Sequence, residues 1–149
     1  MKQSSNDNLV LRANKMYEVT IIKSFSAAHL LAEIGGKCEE LHGHNFKVEV
    51  TLGAPDLNSE GILIDFRLVK KWLKDILDQM DHQHLNDLPF FKGKNPSSEN
   101  IACILYKEMQ DKVTESGVKM LHVKVWESDT AAVTYREDTR IEVKGGELR

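Results

Sequence analysis

Three histidines of this chain stand where a pair of strands would bring them together, and their spacing is that of a metal site. His42 and His44 open the stretch "HGHNFKVEV", one glycine apart. Two residues apart on a strand, their side chains share a face; on a helix they would diverge. His29 closes the earlier stretch "FSAAH". If the two stretches pair as antiparallel strands near the loop that joins them, His29 reaches the same point. Three imidazoles form the ligand set of an open zinc site, with a fourth position for water or substrate. Iron and copper also accept imidazole, so zinc is a preference. Taken singly, each histidine fits a satisfied core residue, because buried polar groups find partners. Gly43 reads as room for the backbone to pass close to a ligand.

Cys38 lies inside the loop bounded by these histidines. Three readings stay open. As a fourth ligand it would close the site and make it structural. As a free thiol beside a metal and an imidazole it would gain thiolate character, fit for base or nucleophile work. Otherwise it is a small apolar loop residue. Glu127 continues the apolar row of Val123 and Val125. It is either a strand-end carboxylate in water or a receptor for two parallel N–H donors, such as a heterocycle edge. Asp81 precedes His82 in "MDHQHLND". An acid there can fix the imidazole tautomer, but neighbours in sequence do not face each other on a helix. The pair therefore works only in irregular backbone, and otherwise is a solvated helix end, as is His84. His122 reads as structural or exposed, and Cys103 as helix core.

The elements that must position these groups follow from periodicity. Tyr17, Val19, Ile21, Phe25 and Ala27 alternate along a strand over 16–29, interrupted by Lys23. Phe46, Val48, Val50 and Leu52 alternate along a second, 42–52. The 12-residue connection, 30–41, suits an antiparallel pair and exceeds an ordinary hairpin loop. "DFRLVKKWLKDILDQM" predicts a helix capped by Asp65, with Val69, Trp72, Leu73, Ile76, Leu77 and Met80 at i, i+3, i+4, i+7. A second helix begins at Ser97 or Ser98, with Glu99 in its first turn, and stops near Gly117. Leu121, Val123 and Val125 predict a strand over 118–127, and "AAVTYREDTRIEV" a last one. The order ββααββ predicts an α+β fold, an antiparallel four-stranded sheet with two helices on one face.

Composition narrows the function classes. The chain has 149 residues, 41% hydrophobic and 29% charged, with a net charge of −3. That fits one domain over 16–143, with an extension 1–15 and a tail 144–149. The charge argues against a nucleic-acid surface. No apolar run approaches the length of a membrane helix, and none resembles a signal peptide. Two cysteines form no disulfide framework, so a cytoplasmic, reducing setting is expected.

The ordered set "FSAAH", "CEELHGHNF", "GILIDF", "LDQMDHQHLND", "NPSSENIA" and "VKVWES" resembles the 6-pyruvoyl- and 6-carboxy-tetrahydropterin synthase family. Its Cys-x-x-x-His-Gly-His spacing is similar to the bacterial queuosine-pathway branch. The resemblance implies a T-fold, with sheets of several subunits closing a barrel in a hexamer of two trimers and active sites between subunits. It implies zinc on His29, His42 and His44, Cys38 as general base, and His82 with Asp81 as its partner. It implies Glu127 as pterin anchor, with Ser98 and Glu99 lining the pterin pocket. The implied substrate is 7,8-dihydroneopterin triphosphate. The implied products are 6-carboxy-tetrahydropterin, acetaldehyde and triphosphate, or, in the pyruvoyl branch, 6-pyruvoyl-tetrahydropterin and triphosphate. Lys37 and Arg136 are candidates for the triphosphate contacts, with no motif to choose between them. Two rivals of other classes remain: a non-enzymatic zinc module closed by Cys38, and a zinc hydrolase that needs neither pterin nor thiol.

Overall fold

The computed structural model describes residues 14–138. The expected extension up to residue 13, the end of the expected last strand and the tail lie outside the described residues.

Strands β1 (Tyr17–His29) and β2 (His42–Ala54) are followed by helices α1 (Phe66–Leu77) and α2 (Ser98–Glu115), then strands β3 (Lys119–Ser128) and β4 (Ala131–Tyr135). The sheet is antiparallel, in the order β1-β2-β3-β4. Alternation decides which face is covered. Phe46, Val48, Val50 and Leu52 are fully buried, opposite Phe25, Ile21 and Val19 across the ladder, and Val48 and Val50 face Val125 and Val123 on β3. Both helices bury their apolar side chains in this same core: Val69, Leu73, Ile76 and Leu77 from α1, and Ile101, Ala102, Leu105, Met109 and Val113 from α2.

The helix caps fall where the side chains direct them. Asp65 accepts from the Arg67 N–H and Ser97 from the Asn100 N–H, satisfying donors that a helix start leaves free. Gly117 follows α2 with φ 81, the left-handed conformation that glycine adopts at low cost. Helix α1 stops at Leu77, before the end of the expected apolar stripe. Met80 is still buried but sits in turns beyond the helix, and Trp72 is only half-buried.

Three expectations need correction. The pairing of β2 with β3 shifts between Thr51 and Leu52, so Met120 takes the buried place expected for Leu121. Leu121 instead lies across Gly53, where an added Cβ would come within 2.7 Å of Leu121 Cδ1. This is a bulge, one extra residue that re-aims its neighbours. β4 ends at Tyr135 and 136–138 are not in a strand, while the rest of the expected run lies outside the described residues. Cys103 is half-buried beside the Tyr135 hydroxyl rather than in the helix core.

The register then sets the site. His29 pairs with His42 and Ala27 with His44, so the core-facing row of the β1–β2 ribbon ends in imidazoles.

Candidate metal centre

His29, His42, His44 and Glu127 each bring one donor atom to a common point, all within 4.8 Å of one another. Three elements supply them: β1, β2 and β3. The rings stand edge to face, with centroids 4.6 Å (His29–His42), 5.2 Å (His29–His44) and 4.8 Å (His42–His44) apart. Phe46 forms their floor, 5.5 Å from both His29 and His44 and stacked on Phe25 at 5.0 Å.

The outer hydrogen bonds fix which nitrogen faces inward. His29 Nδ1–H donates to the Pro96 carbonyl at 2.8 Å, and His42 Nδ1–H to the Glu40 carbonyl at 2.7 Å. Each ring therefore keeps Nε2 as a lone-pair donor, the usual outer-shell arrangement of a metal-ligating imidazole. His29 is fully buried, and burial drives its pKa below the usual histidine range. The Pro96 carbonyl and the Glu127 carboxylate oppose that push, while His42 and His44 add to it. A neutral imidazole is the form a metal needs.

Among the described residues, the Nε2 atoms of His29 and His44 are buried without a hydrogen-bond partner. Glu127 Oε1 approaches His44 Nε2 to 2.8 Å and His29 Nε2 to 3.8 Å, as an ion pair would, without the direction of a hydrogen bond. Buried polar atoms left unpaired are costly. A divalent cation held by the three imidazoles would satisfy these nitrogens together, with the Glu127 carboxylate beside it, so the donor set fits a metal. Nothing in a His₃Glu set decides between zinc and its neighbours.

Glu127 does more than its sequence position suggested. Its Oε2 accepts from Ser98 Oγ at 3.2 Å while Oε1 reaches the imidazoles. Ser98 is buried at the start of α2. Ser98, Glu99 and Glu127 line a cavity of about 220 Å³ with Ala131, Ala132 and Val133. Cys38 lines a different cavity that also includes Glu127, one of about 380 Å³ shared with Lys37, Glu40, Leu41, His42 and His44. Its sulfur is not among the gathered donors, which speaks against a structural site closed by the thiol. Cys38 sits in a short 3₁₀ turn, Gly36–Glu39, whose carbonyl at Cys38 accepts from the Leu31 N–H at 2.7 Å.

Asp81 and His82 occupy the irregular backbone they require. His82 has φ 57, and its ring Nδ1 lies 3.0 Å from Asp81 Oδ1. The same oxygen accepts from the Ser26 N–H at 2.9 Å, and this bond, with the His82 ring behind it, holds the Asp81 carboxyl below its usual pKa range. The segment is stitched to β1 by His82 N–H to the Ser26 carbonyl and Ala28 N–H to the Gln83 carbonyl. His82 does not share the Cys38 cavity. It lines another, of about 510 Å³, with Ser26, Ala28, Gly43, His44, Asn45 and His84. A Cβ on Gly43 would meet only the Ala27 carbonyl, at an ordinary 3.6 Å, so crowding does not explain that glycine. His122 is half-buried with its Nδ1 unpartnered among the described residues.

Sequence reasoning missed the clamps that hold the site loops. Asn86 donates to and accepts from the Leu30 backbone, and Asn95 does the same at Ala32. Asparagine in a loop reads as turn chemistry, and only the fold shows that its partner is a strand end. The Pro96 carbonyl carries no side-chain signal at all.

The family model for 6-pyruvoyl tetrahydropterin synthase matches residues 18–138. A 6-carboxy-5,6,7,8-tetrahydropterin synthase of Synechocystis sp. is 36% identical over 118 residues, covering 75% of this chain and 87% of that one. The 6-pyruvoyl tetrahydrobiopterin synthase of Homo sapiens is 33% identical over 127 residues, covering 76% and 86%. The solved structure of Caenorhabditis elegans 6-pyruvoyl tetrahydropterin synthase is similar with a TM-score of 0.74 at 26% identity, covering 86% of this chain and all of that one (100%).

Proposed function

The chain belongs to the 6-pyruvoyl tetrahydropterin synthase family, and on that premise we propose that it is a zinc-dependent 6-carboxy-5,6,7,8-tetrahydropterin synthase. It converts 7,8-dihydroneopterin triphosphate and one water to the carboxy-pterin, breaking the bond between the two hydroxyl-bearing side-chain carbons and releasing acetaldehyde and triphosphate, as a cytoplasmic step of 7-deazapurine (queuosine-type) biosynthesis. The observation that carries the reading is the open cluster. Three imidazoles and a carboxylate gather at one point while the one nearby thiol stays out of the donor set and on the same cavity wall.

His29, His42 and His44 would hold the metal. Zinc, when bound, supplies Lewis acidity to the two adjacent hydroxyls of the substrate side chain. The protein does the rest. Cys38, as thiolate, moves protons between carbon and oxygen along that side chain, a general acid–base role worth roughly 10²–10⁴-fold. Glu127 and Ser98 hold the N–H edge of the pterin ring, with Glu99 at the rim of the same cavity. Asp81 keeps His82 in one tautomer and orientation for proton relay. The ring gains what the side chain loses, so no nicotinamide is required.

Cys38 and His82 line different cavities of one chain, which meet only at His44 among the described residues. This favours a site completed by a second copy, with His82 of one chain facing Cys38 of another, in a barrel assembled as a hexamer of two trimers. β1 and β4 are the edge strands that such an assembly would pair.

The test is incubation of the metal-loaded protein with 7,8-dihydroneopterin triphosphate and mass analysis of the products. Acetaldehyde with a carboxy-pterin supports the reading. Triphosphate release with a pyruvoyl-pterin places the protein in the other branch, and intact substrate removes the enzyme reading.

A further inference from the structure

We infer that Lys37 is the residue that receives the triphosphate of the substrate, at the rim of the Cys38 cavity and beyond the imidazoles. The inference rests on the pterin reading above and names a subsite within it. Two cations were open from the sequence, and the fold separates them. Arg136 lines a distinct cavity of about 260 Å³ with Glu18, Lys119, Met120, Leu121, His122, Glu137 and Asp138, and none of the gathered donors belongs to it. Lys37 lines the cavity that also holds Cys38, His42, His44 and Glu127.

The groups divide between two adjoining cavities as the substrate divides between ring and side chain. The 220 Å³ and 380 Å³ cavities have Glu127 in common. One, with Ser98 and Glu99, suits a planar ring with N–H donors. The other cavity holds His42 and His44, which suit the diol. Cys38 lines that same cavity, and Lys37 stands beside it in the same 3₁₀ turn. Successive residues of such a turn point about 120° apart. The thiol and the ammonium are therefore neighbours on the rim rather than stacked over one point. Phosphates one carbon beyond the diol fall on the Lys37 side.

Charge favours the lysine. The side chains lining this cavity include two carboxylates, Glu40 and Glu127, and among the described residues Lys37 is its only lysine or arginine. A polyanion entering past Glu40 is repelled unless a cation offsets it, and an ammonium is a compact partner for phosphate oxygens. The loop is shaped to hold the turn in place. Gly35 and Gly36 have φ 79 and 70, the Gly35 N–H donates to Glu39 at 3.0 Å, and the Glu40 N–H donates to the Lys37 carbonyl at 3.1 Å.

Binding is measured on metal-loaded protein carrying Cys38→Ala, so that substrate is not consumed. The ligands are 7,8-dihydroneopterin triphosphate, 7,8-dihydroneopterin without phosphates, and inorganic tripolyphosphate as competitor. Lys37→Ala is expected to weaken the triphosphate ester roughly tenfold, to weaken tripolyphosphate competition, and to leave dihydroneopterin unchanged. Lys37→Arg is expected to stay within about threefold of the parent, since it keeps the charge. Equal affinity of the parent and Lys37→Ala for the triphosphate ester overturns the assignment, as does an equal loss for both pterins, which would mark a collapsed loop. If the parent holds metal yet binds neither pterin, the pterin reading falls and takes this inference with it. That result is distinct from one in which the parent binds both and only the lysine is silent.

Discussion

The chain carries two His-x-His triplets, HGH at 42–44 and HQH at 82–84, and the fold puts them to different uses. In the first, regular β2 geometry aims both rings at the core face, where His29 joins them across the ladder. The outer ring nitrogen of His42 meets a backbone carbonyl, as does that of His29, and the inner nitrogens converge. In the second, His82 has φ 57 and His84 sits in extended backbone bridged to Ala28. The outer nitrogen of each meets a carboxylate, Asp81 for His82 and Asp87 for His84, both at 3.0 Å. These two rings join no donor cluster among the described residues. The triplet itself is therefore a weak signal. What separates the two triplets is the register of the backbone, which makes the rings of the first converge and not those of the second.

The largest expected effect separates the two triplets by metal content. His44→Ala removes one of three imidazoles and is expected to lower metal affinity at least about 100-fold, beyond the loss of a mere outer-shell partner. His84→Ala is expected to leave bound metal unchanged. Elemental analysis after dialysis reads both, and metal loss on changing His84 would erase the contrast. Next comes chemistry without metal loss. Cys38→Ala and His82→Ala are each expected to retain the metal and to lose about 10²–10⁴ in turnover. A Cys38→Ala protein that comes out metal-free would make the thiol a ligand and return the site to a structural role. If copies complete one another, equal mixing of these two inactive variants, with subunit exchange, restores part of the activity, because some sites then pair an intact Cys38 with an intact His82.

How much of this was legible beforehand differs between the triplets for the same reason. Period-2 alternation through Phe46, Val48 and Val50 fixed the face of His42 and His44, and a long loop between two apolar strands placed His29 opposite. Regular elements carry their geometry in their sequence. The same logic failed at Leu121, because a bulge changes the alternation without changing the residue types. It also stopped at Glu127, whose alternation gave the face but not the reach of one carboxylate to both Ser98 and His44. At 80–87 periodicity says nothing. Roles for Asp81 and His82 came only from the family resemblance, and their 3.0 Å contact depends on a left-handed residue that no pattern announces. The Asn86 and Asn95 clamps and the Pro96 carbonyl belong to loops, where contacts are long-range and the partner is backbone.

A smaller effect tests the glycine at the centre of the first triplet. Gly43→Ala is expected to preserve the fold and the metal, because the added Cβ meets only an ordinary contact with the Ala27 carbonyl. It would project toward the cavity that His82 and His84 line, so turnover is where a loss would register if a second copy docks there. Melting temperature and metal content of this variant, set beside its kcat, separate a packing role from an interface role.

The smallest expected effect concerns acid. The Ser26 N–H and the His82 ring favour the ionised form of Asp81, so its folded pKa lies below the unfolded value of about 3.9. A carboxyl with a lowered folded pKa contributes stability that is present above the unfolded value and is lost as pH falls through the folded one. Carbonyls, which do not titrate, stand behind His29 and His42, so this particular loss has no counterpart at the first triplet. The difference in melting temperature between the parent and Asp81→Asn is therefore expected to be largest near neutral pH and to shrink below about pH 3.9. Because the Asp81–His82 pair is solvent-exposed, the difference is small and falls further with added salt. A gap between the two proteins that holds constant from pH 6 to pH 3 would show that the Ser26 N–H and the His82 ring do not depend on the Asp81 charge, and would leave the second triplet without the orienting acid that sets it apart from the first.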